Sequence, residues 1–247
     1  MRIVSLVPSW TETLIWADVN VIGRTRFCIH PLQRCQSIPE VGGTKKVDWQ
    51  RVQALDPELL ILDKEENPIR MAEEAPAPVF ATHVESVADV ARELTRLAET
   101  LGNRKLELLA ARWKEILKRR TSQPPLEALP GVVKWVRKPT ANCHQLLYLI
   151  WKSPWMCVSR NTFVGSMLGR LGYGEYLLQF DAKYPEIVLE DFEMSRTLLL
   201  FATEPYPFGR DLEAVGEMGY PSALVDGEKF SWFGLRTLRF LEKNLGA

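Results

Sequence analysis

Short apolar runs of strand length recur through the first hundred residues, at 3–6, 21–24, 59–63 and 79–82, and helix signals over 11–17, 49–54 and 68–74 lie between them. This alternation predicts a parallel sheet with helices on its faces. The run from Ile3 to Val7 suits a strand buried on both faces. Pro8 ends it, and Ser9 with Glu12 three residues later reads as a capping box opening a helix. From Val84 onward Val87, Val90, Ala91, Leu94, Leu97, Ala98 and Leu101 recur at three and four, a helical stripe closed by Gly102-Asn103.

Residues 103–120 form a second helical pattern, with Leu106, Leu109, Trp113, Ile116 and Leu117 among many charges. At a 1.5 Å rise per residue it would run roughly 25 Å, enough to reach from one lobe to another. Pro124-Pro125 and Pro130-Gly131 then break the pattern before it resumes: a strand at 146–151, helices at 163–171 and 189–194, strands at 197–202 and 223–225, and a last helix over 235–244. The expected architecture is α/β, with two lobes, each a mostly parallel sheet with flanking helices, joined by one long backbone helix. The lobes are placed at 1–102 and 121–247 and the backbone helix at 103–120; the segment 132–144 is left without a role.

Composition narrows the function. Lys plus Arg and Asp plus Glu are both 31, so the chain lacks the cationic excess that neutralises phosphates, and no nucleic-acid partner is expected. The longest apolar stretches fall far short of the roughly 20 residues that span a bilayer, so no membrane insertion is expected either. Cys28, Cys35, Cys143 and Cys157 have no C-x-x-C spacing and read as reduced thiols. A strand starting at residue 2 or 3 leaves no room for a secretory leader. The expected localisation is cytoplasmic as the chain is written, and periplasmic if a leader has been trimmed from it.

In open α/β sheets ligands sit beyond the carboxyl ends of the strands, which singles out the residues just after each apolar run. Trp10, Trp155 and Trp232 are the expected grips for a planar or macrocyclic ligand, because aromatic faces cover much area at little entropic cost. Phe27 belongs to the same set. His30 and His83 follow two different strands, with Cys28 and Glu65 nearby; such a set could hold a transition metal, or one imidazole could ligate the cobalt of a corrinoid. Glu204 and Tyr206 sit in a turn stiffened by Pro205 and Pro207 and suit polar recognition. No catalysis is expected. Gly42-Gly43 lacks a nucleotide-binding pattern, and Cys28 with His30 is the one pair that an enzyme or corrinoid-processing alternative would use.

The segments 2–14 (Arg-Ile-Val-Ser-Leu-Val-Pro-Ser-Trp-Thr-Glu-Thr-Leu), 21–25, 39–44 (Pro-Glu-Val-Gly-Gly-Thr), 54–62, 161–164 and 225–234 (Val-Asp-Gly-Glu-Lys-Phe-Ser-Trp-Phe-Gly) resemble, in order, the class III periplasmic substrate-binding proteins, nearest to the cobalamin-binding-like members. The resemblance implies a ligand held between two lobes joined by a rigid helix: a corrinoid, a ferric chelate or, as an alternative, a bare transition metal. It also implies an aromatic from the Trp232 loop against the ligand and an ABC transporter permease as a possible partner. The vitamin B12 receptor docks through one glutamate on each lobe, and the matching positions here are Ile69 and Gly234.

Overall fold

A computed structural model describes residues 1–245. The chain divides into two compact units, Met1–Lys118 with Trp232–Arg239, and Arg119–Ser231 with the residues from Phe240 onward. The first unit contains β1 (Ile3–Ser5), α1 (Pro8–Trp16), β2 (Val21–Arg24), α2 (Leu32–Cys35), α3 (Trp49–Ala54), β3 (Leu59–Asp63), α4 (Arg70–Glu73), β4 (Val79–Thr82), α5 (Val87–Leu101) and α6 (Arg104–Lys118). Its sheet has the order β2-β1-β3-β4 and every pairing is parallel. One face of that sheet packs Val4, Leu6, Leu60 and Leu62 against Val41, Val52 and Met71. The strands are accordingly apolar apart from Gly23 and the residues Ser5, Arg24, Asp63 and Thr82 at their carboxyl ends, since helices cover both faces of a parallel sheet.

Two local expectations change. The helix α1 starts at Pro8 with Val7 as its N-cap and no side-chain cap. Proline is suited to the first helical position because the N–H it lacks would have no intrahelical partner there. Ser9 and Glu12 therefore do not form a capping box: the Ser9 carbonyl accepts from Thr13 Oγ1, and the Glu12 carboxylate accepts from Arg236 Nε and Nη2 at 2.9 and 2.8 Å. The segment expected as a separate linker belongs, as far as Lys118, to the first unit. Gly102 turns the chain in the left-handed region, and the Asn103 side chain accepts the N–H groups of Lys105 and Leu106 at the start of α6. The stripe Leu106, Leu109, Ala110, Trp113 and Ile116 is buried where α6 packs on α5, and Trp113 Nε1 donates to the Gly234 carbonyl at 2.9 Å.

The second unit contributes β5 (Val132–Arg137), β6 (Gln145–Trp151), β7 (Trp155–Cys157), α7 (Phe163–Arg170), β8 (Glu186–Ile187), β9 (Thr197–Ala202), α8 (Leu212–Glu217), β10 (Ser222–Val225) and α9 (Gly227–Ser231); the last helix, α10 (Leu235–Asn244), falls in both portions of the division. Sheet order is β5-β10-β9-β6-β7-β8, parallel across β10-β9-β6 and antiparallel at β5, β7 and β8. The unassigned segment 132–144 thus begins with an edge strand, whose half-exposed Val-Val-Lys-Trp-Val-Arg pattern is the reason it is hard to read. The helix expected over 189–194 is instead two 3₁₀ turns, 189–191 and 194–196, with Phe192 extended between them. The Tyr220 hydroxyl lies 2.8 and 2.9 Å from the carbonyls of Leu189 and Phe192 and holds that break in place. Leu147, Leu149, Leu199, Phe201 and Leu224 build the core of this unit with Phe208, Val215 and Tyr220.

Candidate ligand-binding loops

In the first unit the segments leaving the carboxyl ends of the strands differ sharply in burial. After β1 the chain passes straight into α1, and Trp10 is fully buried. Its Nε1 donates to Thr82 Oγ1 at 2.8 Å and its ring meets Phe233 edge-on with centroids 5.0 Å apart. Trp10 is a core residue and has no surface to offer a ligand, which corrects the expectation; a ring of this size with its N–H satisfied internally is anchored.

After β2 the loop 25–31 turns outward. Cys28 points in: it is fully buried, with Thr11 Oγ1 at 3.0 Å and Thr25 Oγ1 at 3.1 Å from its Sγ, and burial pushes its thiol up. Its neighbours point out. Phe27, Ile29 and Leu32 are 46, 43 and 60% exposed, the Arg26 guanidinium lies over the Phe27 ring, and the His30 imidazole meets the Trp232 indole edge-on with centroids 5.2 Å apart. Trp232 is itself mostly buried and carries Arg236 over its ring, and Arg236 is held by Glu12. Arg24 serves the frame of this loop: it is buried, donates to the Cys35 carbonyl and pairs with Glu40. Arg26 and Phe27 also line, with Gly43, Lys45 and Lys46 of the following turn, a cavity of about 580 Å³.

After β3 and β4 the two exits are tied together by one carboxylate. Asp63 is fully buried; its oxygens accept from Glu65 N (3.0 Å), Thr82 Oγ1 (2.6 Å) and Val84 N (3.2 Å). Burial raises its pKa against the pull of those donors. This frame brings Glu65 and Glu85 to His83: His83 Nε2 lies 3.4 Å from Glu65 Oε1 and 3.4 Å from Glu85 Oε2. Glu85 is absent from the sequence reading; it lies two residues beyond His83, in the bend between β4 and α5. Among the described residues this is the one group of three or more potential metal ligands, so Cys28 and His30 join no such set with His83.

In the second unit Trp155 stacks on Phe208 (centroids 6.1 Å, 10° between planes) and packs against the core. Tyr206 packs on Phe208 and meets Trp151, which is 42% exposed. The Tyr206 hydroxyl and Lys152 Nζ both donate to Asp211 Oδ2, at 2.9 and 3.0 Å, and these two bonds hold the Asp211 carboxyl below its ordinary range. Glu204 accepts from Ser231 Oγ at 2.9 Å, and Gly227 packs against its backbone and side chain. Tyr206 is thus the sequence-selected residue here that joins a polar group with an exposed aromatic neighbour, and Trp151 is the residue missed, its strand-end position being the available signal.

No family model and no curated protein matches the chain. Solved structures do. The chain aligns over 99% of its length with the periplasmic vitamin B12-binding protein BtuF of Vibrio cholerae, covering 94% of that chain at 14% identity with a TM-score of 0.68. The class III periplasmic binding-protein fold is this chain's fold. It is shared by S. aureus IsdE, solved complexed with heme, at 13% identity, TM-score 0.72 and coverage of 99% of this chain and 96% of that one. A periplasmic heme-binding protein of Pseudomonas aeruginosa aligns at 18% identity and TM-score 0.71 over 99% of this chain and 91% of that one. In this class III fold the parallel first sheet, with its loops at the carboxyl ends, is as the sequence pattern predicts. Of the two positions matched to docking glutamates, Ile69 is 73% exposed and Gly234 adopts φ +90° against Thr13. Among the described residues no helix is long and apolar enough to cross a membrane.

Proposed function

We propose that this protein binds a metal chelate of the tetrapyrrole kind, a corrinoid or a heme, without covalent chemistry on it, as a substrate-binding component or carrier. The observation that carries the reading is the His30–Trp232 ring pair beside a loop and helix start that expose Phe27, Ile29 and Leu32. A flat macrocycle needs a broad apolar face and a donor atom for its metal. Clustered exposed apolar side chains supply the first, and an imidazole supplies the second for iron or cobalt. Arg26 beside Phe27, with Lys45 and Lys46 on the same cavity, would meet acidic groups on the ligand's periphery. Solved proteins of the same fold whose names record vitamin B12 or heme support the ligand class. An ABC transporter permease is the partner such a component would serve, and Ile69 and Gly234 bring no carboxylate to that contact. The enzyme alternative is weakened by Cys28, whose thiol is buried, hydrogen-bonded and hard to ionise.

The test is absorption titration of the purified protein with hemin, aquocobalamin and cobinamide. Saturable band shifts with one of them, abolished in His30→Ala and weakened severalfold in Trp232→Phe, are expected. Absence of a saturable response to all three overturns the proposal.

A further inference from the structure

We infer that the first unit carries a separate site for a bare first-row divalent transition ion, held by Glu65, His83 and Glu85. The inference does not rest on the chelate reading, which uses the loop after β2.

Three features of the structure meet here. The first is donor geometry. Metal–nitrogen and metal–oxygen bonds to zinc-like ions are about 2.1 Å, so two ligand atoms on a tetrahedral ion stand about 3.4 Å apart. His83 Nε2 is 3.4 Å from Glu65 Oε1 and 3.4 Å from Glu85 Oε2. The three donor atoms all lie within 4.8 Å of one another, so a small side-chain rotation closes the third edge. The second feature is ligand chemistry. One imidazole with two carboxylates suits zinc, cobalt, nickel, iron or manganese better than a thiolate-seeking ion. Three protein ligands leave a coordination position for water. A dication would bind both carboxylates that face His83 Nε2 and offset their two charges together.

The third feature is that the backbone under all three ligands is fixed by groups other than the ligands themselves. Buried Asp63 accepts from the N–H of Glu65 and of Val84, the residue between His83 and Glu85. Asp89 Oδ2 accepts from the N–H of Glu85 at 3.2 Å, and Lys64 N donates to the Thr82 carbonyl at 3.0 Å, tying the two strand exits together. Asn67 closes the β3 exit by accepting from Asp63 N. Such outer support is what keeps metal ligands oriented. The side chains themselves remain reachable, with 30, 39 and 38% of their surface exposed for Glu65, His83 and Glu85. Arg92 donates to the His83 carbonyl while pairing with Asp89 and Glu93, and Lys45 Nζ donates to the Glu65 carbonyl.

The experiment is a Co²⁺ titration of the metal-free full-length protein by visible absorption, with Zn²⁺ competition followed by calorimetry. One Co²⁺ per chain is expected, with d–d bands and no thiolate-to-cobalt charge transfer. His83→Ala and the near-isosteric Glu65→Gln and Glu85→Gln should each weaken binding by about tenfold or more, the loss that removal of supporting groups alone can cause. His30→Ala and His144→Ala, which remove the two histidines outside this group, should bind Co²⁺ as tightly as the parent, so that failure of the chelate reading and failure of this one are seen separately. Circular dichroism of each variant checks that it is folded. No saturable Co²⁺ uptake, undiminished uptake by folded His83→Ala, or a thiolate band would each overturn the inference.

Discussion

Gly234 is the position where a single methyl group tests the packing around α1 most directly. Its φ is +90°, a region costly for any residue with a Cβ, and an added Cβ would fall well inside contact distance of Thr13 Oγ1 and stand 3.5 Å from the Ser9 carbonyl. Thr13 has little freedom to retreat: its Oγ1 donates to Ser9 O at 2.9 Å and accepts from Leu235 N at 3.1 Å. The Gly234 carbonyl is also held, by Trp113 Nε1. For Gly234→Ala, the left-handed backbone costs about 1–2 kcal/mol and the forced contact about 1–3 kcal/mol. The reduced entropy of the unfolded chain returns about 0.4–1 kcal/mol. The net expectation is a loss of about 1–5 kcal/mol, read as a lower urea midpoint at unchanged slope. Thr13→Ala removes the clashing oxygen, so the double variant should lose less than the sum of the singles, by about 1 kcal/mol or more. Ile69→Glu, at a site 73% exposed, should stay within about 0.5 kcal/mol of the parent. A Gly234→Ala protein as stable as the parent to within about 0.5 kcal/mol would refute the reasoning. The same contact means that a glutamate at position 234, as a transporter-docking residue, would come at the cost of the fold beneath it.

Two further outcomes follow from the ionisable groups. Burial pushes the thiols of Cys35 and Cys143 up to about 11 and that of Cys157 to about 12, and raises Cys28 as well; the native protein should therefore react slowly with Ellman's reagent, and all four thiols should react at once on unfolding. A Cys28 that reacts in the native state like free cysteine would reopen the nucleophile reading. Asp211, whose carboxyl is held low by Lys152 and Tyr206, contributes stability that is fully present above its unfolded value near about 4 and is lost as pH falls through the lower folded value. Asp211→Asn should accordingly be less stable than the parent at neutral pH and converge with it in acid; a gap in urea midpoint that stays constant down to about pH 2 would contradict the assignment.

What the sequence determined by itself is the local part. The strands of the first sheet, the α5 stripe and its Gly102 stop are periodic or punctuated over a few residues, and periodicity records which face is buried irrespective of the partner. The edge strand β5 and the 3₁₀ turns near 190 escaped because half-exposed edges and breaks held by a distant tyrosine have no period of their own. The site was legible as a set of loops, since strand ends can be read. Which side chains those loops present was not. Trp10 and Trp232 have the same chemistry and both follow apolar runs, yet Thr82 and Phe233 bury the first while the second sits against the imidazole of His30. Glu12 finds Arg236 across 224 residues of chain, and Glu85 reaches Glu65 through the shared imidazole of His83 because buried Asp63 fixes both strand exits. These pairings join helices, loops and strand exits that lie far apart along the chain and that no local spacing relates, and so tertiary structure alone decided them.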